Sequence, residues 1–514
     1  MKQIICLIVV LVNLSALAQK SPVTWTDSYK IQRRENVIRM LGAHGDDFFV
    51  YKGITGKDPE HRIEVLDRAS MKLKSSASLT LPTIDGEETR FYQLMMVDGR
   101  LLLITSFIEK RSDIRSLYGT WMSKEGQALD LPVLLSQITL NRRNENQTFG
   151  IQLSEDSSMV FIYNESTLDR RSNERFSFKV VDLDLETVWK KELELPYRSE
   201  LLEINQYLLD SKGQLHMMSG IASDKRNNAQ NERRLSEKRY IVISYDPVAN
   251  KVKELEVDLG DKWVIATTFA IDDQGDLAIG GFYSNDRYFS IAGSFFFRVS
   301  AETKKVISSG LEPFETSFLK KFMSDRRADR GDELNDFYFD HMVRRPDGGA
   351  TLVAEQYYIV SRYRSDITTG RQEIINYYHY NDIILVDVAA DGKVNWTKRI
   401  AKEQISSNDK GPYSSYALTA DQDSIYILFN DDPANEEYLK ENPENSPKTF
   451  NSLKSSVVTK VAVGLDGTMT RQTMFKSKEE ETVLKPKVHI SPESGELFIY
   501  ARFRKQYRFG RLDF

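Results

Sequence analysis

Asp340, His341 and Arg344 lie within the run FYFDHMVRR (337–345), where an acid, a titratable base and a cation stand close together. A carboxyl, an imidazole and a guanidinium at that spacing supply a general acid, a general base and an anion clamp, the groups hydrolysis or elimination needs. The competing reading is that His341 is a packing residue of an apolar strand. The other histidines, His44, His61, His216, His379 and His489, are scattered without the i,i+2 or i,i+4 pairing of metal ligands. No HExxH, GxSxG or phosphate-loop motif occurs, so no metal site and no cofactor is expected. Cys6 is the only cysteine, which excludes disulfides, thiolate metal sites and a cysteine nucleophile from a chain that loses its leader.

A second group of residues suits recognition better than catalysis. Arg362, Tyr363, Arg364 and Tyr377 fall in one loop-like segment, 359–380, and Arg326 and Arg327 in another, 312–338. Arg233 and Arg234 belong to SDKRNNAQNERRLSEKR (223–239). Tyrosine and arginine both present a flat surface with a polar end, and guanidinium groups pair with carboxylate, sulfate or phosphate. Interleaved Asp224, Glu232 and Glu237 make a solvated charged surface the competing reading. Acidic residues also cluster, at Asp329 to Asp340 and Asp431 to Glu444, but neither cluster has the spacing of a calcium loop.

The whole-chain balance is globular. Hydrophobic residues make up 40% of the 514 positions and aromatics 11%, well outside disordered compositions. A net charge of -5 gives no general attraction to nucleic acid or anionic membrane. Residues 1–18 read as a signal peptide: Lys2, the apolar IICLIVVLV, and Ala16-Leu17-Ala18 before Gln19. That apolar run is shorter than the roughly 20 residues of a membrane-spanning helix. The expectation is a bacterial protein, periplasmic or extracellular, with a monomeric mature chain of 19–514 and no membrane span.

The elements that must position these residues follow from a recurring turn. A small turn precedes a β-forming apolar run at Asp46-Asp47 (FFVYKG), Asp98-Gly99 (LLLITSF), Asp156-Ser157 (SMVFIYN) and Gly213 (QLHMMSG). It returns at Gly275 (DLAIGGFY), Gly348-Gly349 (ATLVAEQYY), Asp421 to Ser424 (IYILFN) and Gly495 (ELFIYAR). The recurrence, about every 50 to 75 residues, marks a repeat architecture. Each unit continues with a second hairpin, for which Asp391-Gly392 and Asp466-Gly467 are two-residue turn signals. Four antiparallel strands per unit, here a to d, account for the pattern, with b and c buried on both faces. One short helix is expected near 434–442.

Units of this kind resemble the β-propeller superfamily over nearly the whole mature chain. Eight blades are counted, with seven as the alternative. The last unit lacks a fourth strand, and 23–31 near the N-terminus is placed there to close the ring. The Trp-Asp signature of WD repeats and the Asp box of sialidase-like propellers are missing. Trp189 and Trp396 match the tryptophan position of quinoprotein dehydrogenases in two units only, which disfavours a redox propeller. Since the a–b and c–d turns are short, the long b–c and d–a segments emerge on one face. The resulting expectation is a non-catalytic exported propeller that binds an envelope protein or an extracellular glycan through its long-loop face. The alternative is a carbohydrate-active hydrolase or lyase, with Asp340, His341 and Arg344 as its residues.

Overall fold

Each apolar run that follows a small turn is a strand buried along most of its length, such as Leu277–Ser284 and Asp47–Ile54. A computed structural model describes residues 22–514 apart from 34, 57–58, 110–111, 141–147, 166–170, 223–237, 273, 287–288 and 366–371. Among the described residues the chain is almost entirely β. It forms eight antiparallel sheets of four or five strands, with two further two-stranded ribbons. In order they span 35–78, 90–139, 150–198, 202–256, 263–313, 337–407, 417–476 and 483–513, and consecutive strands pair within each sheet. The eighth sheet takes Thr24–Trp25 as its fourth main strand, with Thr24 opposite Arg511.

Eight apolar clusters hold the sheets together, and each lies between a pair of neighbours. Phe161 and Phe178 pack with Met217 and Ile243 between sheets three and four. Phe282 and Phe296 pack with Leu352 and Ile384 between sheets five and six. The last cluster joins sheet eight to sheet one, where the Phe48 and Phe498 rings stack at 4.0 Å. This arrangement explains why strands b and c read as unbroken apolar runs: both of their faces meet another sheet.

The turns differ from expectation in detail. Asp98 and Gly99 both have positive φ, 48° and 72°, as a two-residue turn of the primed type requires. At 391–392 and 466–467 only the glycine is left-handed; each aspartate instead accepts the backbone N–H two residues on, from Lys393 and Thr468. These are longer turns with an Asx cap. Gly392 has a second constraint, because a Cβ on it would come within 2.4 Å of the backbone nitrogen of Gly310 in sheet five.

Two larger departures concern the long segments. The stretch 359–380, expected as a loop, is mostly a continued ladder. Strands Ala350–Ser365 and Gln372–Val388 stay paired out to Ser365 opposite Gln372, with one register shift between Glu355 and Tyr357. Alternating Ile359, Tyr363, Ile374 and Tyr378 suit a pleated surface, so β-propensity prevails over the loop reading. The segment 312–338 holds two short helices, Thr316–Leu319 and Asp325–Asp329, that the sequence reading omits. The expected helix is present at Asn435–Glu441. No helix among the described residues is long and apolar enough to cross a membrane.

Candidate functional site

Asp340 owes its position to a β-bulge. The register of strand Phe337–Arg344 against Ala350–Ser365 slips between Phe339 and His341, so Asp340 has no partner opposite it. A bulge re-aims the side chain it carries. First strands of other sheets slip in the same way, leaving out Leu41, Tyr92, Asn205 and Ile265. The bulge therefore belongs to the repeat, whereas the acid belongs to sheet six.

Around Asp340 the first strands of sheets six and eight and the residues leading into sheet seven converge on a cavity of about 480 Å³. His341, Glu355, Tyr380, Tyr416, Lys487 and His489 line it with Asp340. The Tyr416 hydroxyl donates to Asp340 Oδ2 at 2.8 Å. Glu355, 4% exposed inside the apolar run of its strand, is paired with the fully buried Lys402 at 2.7 Å. The other Glu355 oxygen accepts from the Ser415 hydroxyl at 2.7 Å. Lys402 also donates to the Tyr380 carbonyl at 2.8 Å. Lys487 Nζ lies 4.2 Å from the centre of the Tyr380 ring and 3.1 Å from its hydroxyl.

The electrostatics of this cavity set Asp340 apart. Water reaches its carboxyl, yet protein surrounds it on most sides. That burial, together with repulsion from Glu355, pushes it up to about 7 against the pull of Tyr416, Lys487 and Lys402. A carboxyl titrating there can give or take a proton near neutral pH. Burial also lowers Lys402 against the attraction of Glu355, and raises the Tyr416 hydroxyl, with Asp340 adding to that rise. His341 is lowered by burial and by its neighbour His489, and its ring meets Tyr416 edge-on at 5.9 Å. Burial lowers His489, although the bond its Nδ1 donates to the Pro486 carbonyl at 2.7 Å works the other way, and Nε2 accepts from the Leu418 N–H at 3.4 Å. Both its nitrogens are thus committed to backbone.

Arg344 does not join this group. It lies farther along the strand and pairs with Glu155 and the Ile271 carbonyl. Four residues along a strand amount to about 13 Å, so closeness in sequence separates rather than unites Asp340 and Arg344. Glu355, Lys402, Tyr416 and Lys487 escape the sequence reading, since they come from four different segments. One signal was available for two of them: a charge inside or beside an apolar run, as in ATLVAEQ and RIAKEQI.

The recognition residues occupy the extended hairpin of sheet six. The Arg362 guanidinium lies 5.4 Å from the centre of the Tyr377 ring, and Arg364 stands opposite Glu373. Tyr363 is 77% exposed, with Ile359 and Ile374 exposed on the same face. Tyr377 also lines a groove of about 470 Å³ with Ile405, Pro412, Tyr413, Phe450 and Leu453. Arg326 and Arg327 lie elsewhere, on the short helix Asp325–Asp329, and Arg327 is paired with Asp332 at 2.8 Å. Arg233 and Arg234 lie outside the described residues. The expected basic patch is partly neutralised, since Arg175, Lys238 and Arg239 pair with Glu194, Glu203 and Glu256. Among the described residues no group of three His, Cys, Asp or Glu side chains is arranged to hold a metal ion.

Trp189 and Trp396 act between sheets. Each indole N–H donates to a turn carbonyl of the next sheet, Gly213 at 2.9 Å and Leu465 at 2.8 Å.

No protein-family model matches the sequence, and no curated protein sequence matches it. Solved structures similar to it include the WD40 domain of SCAP from fission yeast, with a TM-score of 0.39 and 9% identity over 94% of this chain and 96% of that one. The Dos1 propeller gives 0.40 and 10%, over 96% and 97%. Quinohemoprotein alcohol dehydrogenase from Comamonas testosteroni gives 0.41 and 10%, over 96% and 77%. The sheets themselves define the class: the fold is that of a β-propeller.

Proposed function

We propose that the protein is an exported propeller of eight blades, closed by its N-terminal strand, that binds an extracellular glycan on its long-segment face. The observation that carries this reading is the sheet-six hairpin, where Arg362 covers the Tyr377 ring and Tyr377 opens onto the groove beside Tyr413. Flat aromatic surfaces with hydroxyl and amide groups at their margins suit a sugar ring, whose faces are apolar and whose rim is polar. Ser406, Ser407, Asp409 and Asn451 supply such margins here. The eight inter-sheet clusters, including the one between sheets eight and one, support the ring. A glycan array probed with the full chain tests the proposal. Retention on polysaccharide that is lost in Arg362→Ala/Tyr377→Ala supports it. Capture of an envelope protein in place of any glycan replaces the ligand class, and retention unaffected by the substitutions sinks the site.

A second reading rests on a different observation, the raised Asp340 beside Glu355 in one cavity. A raised carboxyl beside a second carboxyl suits a glycoside-cleaving enzyme, with Asp340 as the general acid. Turnover of a bound polysaccharide that disappears in Asp340→Asn and falls above pH 7 would establish that reading. Binding without turnover leaves the cavity as a subsite of a non-catalytic module.

A further inference from the structure

We propose that a second binding site, for a small multiply charged anion of the pyrophosphate class, lies on the opposite face, between sheets four and five. The sequence assigns only short turns to that face. Four of them meet here, at 209–215, 246–251, 271–277 and 299–306, and enclose a cavity of about 460 Å³. Lys212, Lys251, Lys253 and Lys304 line it. Among the described residues none of the four is ion-paired with a carboxylate.

Three carboxylates share the cavity, Asp210, Asp246 and Glu302, one fewer than the lysines. Asp210 accepts the backbone N–H groups of Lys212 and Gln214 at 2.9 and 2.7 Å, and Asp246 those of Val248 and Ala249 at 2.9 and 3.0 Å. Each closes its own turn with one oxygen and both still attract Lys304, so the lysines exceed the carboxylates of the cavity by one charge. Burial would raise Asp210, but His216 and those N–H bonds outweigh it and hold the carboxyl below its ordinary range. Lys304 occupies a left-handed turn position, φ 56°, and reaches from sheet five to Gln214 Oε1 of sheet four at 3.0 Å. Burial lowers its ammonium, with attraction to Asp210 and Asp246 set against repulsion from Lys253 and Lys212. A cavity that gathers ammonium groups at a cost in mutual repulsion regains that energy when an anion enters. Lysine contributes there as a point charge with freely rotating donors, which suits the spread charge of phosphate.

Calorimetric titration of inorganic pyrophosphate into the full chain tests the site. One equivalent is expected to bind, more weakly as salt is raised. Lys253→Gln/Lys304→Gln is expected to weaken binding at least about tenfold, the scale of one hydrogen bond to a charged group. Lys393→Gln, in a turn of sheet six and already paired with Asp391, should leave the affinity unchanged. Absence of binding overturns the proposal, as does equal loss in the Lys393 control or no loss in the double variant. Lys253 is exposed on the strand Lys251–Glu256 and Lys304 lies in a turn, and unaltered far-ultraviolet circular dichroism confirms that loss of binding is not loss of fold. The outcome is independent of glycan binding on the other face.

Discussion

Two buried lysine–glutamate pairs, one in sheet one and one in sheet six, differ in what surrounds them. Lys52 and Glu64 meet at 2.6 Å with side chains 7% and 8% exposed. The Tyr29 and Tyr507 rings cover Lys52 at 4.1 and 5.2 Å, and Tyr507 donates to Glu35 at 2.9 Å. This pair is sealed by aromatic rings from the N-terminal segment and sheet eight, and it ties the two chain ends to sheet one. Lys402 and Glu355 meet at 2.7 Å, but the Glu355 side of that pair faces a cavity that also holds Asp340. The same chemistry serves as a structural clasp where rings close over it. Where a space and a third titratable group remain, it sets the charge of a site.

Breaking either pair from one side should have the largest effect. Lys52→Met or Lys402→Met leaves a buried carboxylate without its partner, a loss of about 3 to 5 kcal/mol. Denaturant unfolding measures it. Replacing both members, in Lys52→Met/Glu64→Leu or Lys402→Met/Glu355→Leu, should recover most of that stability. If the comparison holds, the sheet-one double variant leaves ligand binding unchanged while the sheet-six double variant alters it. Equal behaviour of the two doubles would erase the distinction.

A smaller effect concerns titration. Glu355 is the charge that most raises Asp340, so Glu355→Gln should bring Asp340 down from about 7. Carbon-detected NMR of the Asp340 carboxyl reports this directly, and an unmoved midpoint would show that Glu355 has no hold on it. The linkage has a definite sign. A carboxyl raised in the folded state binds its proton more tightly there than in the unfolded chain, so stability falls as pH rises from about 4 to about 7. Asp340→Asn removes that slope. Its melting temperature should therefore gain on the wild type progressively across this window, and parallel profiles would contradict the assignment.

The fold was largely legible because its signal is local. Turn residues followed by apolar strand formers located strand b of every sheet, from Asp47–Ile54 to Glu496–Phe503. The pairing of Thr24–Trp25 with sheet eight was also readable, since the last unit lacked a strand. The sheet-six hairpin was misread as a loop because its tyrosines and arginines resemble surface residues, although their alternation is that of a strand. The cavity was half legible. Asp340 and His341 stood out by type, but Glu355, Tyr416 and Lys487 reach them only through packing of three sheets, which no spacing in the chain encodes. Arg344 was grouped with them by sequence proximity, and strand geometry carries it away.

The central claim is that the sheet-six hairpin and its groove form the ligand surface. Its most direct test is the affinity of one retained polysaccharide for three proteins: wild type, Arg362→Ala/Tyr377→Ala and Lys52→Met/Glu64→Leu. The account predicts a loss of at least about tenfold for the hairpin variant, as expected for removing an aromatic and arginine contact pair. It predicts wild-type affinity for the sheet-one variant. Wild-type affinity in the hairpin variant would contradict it.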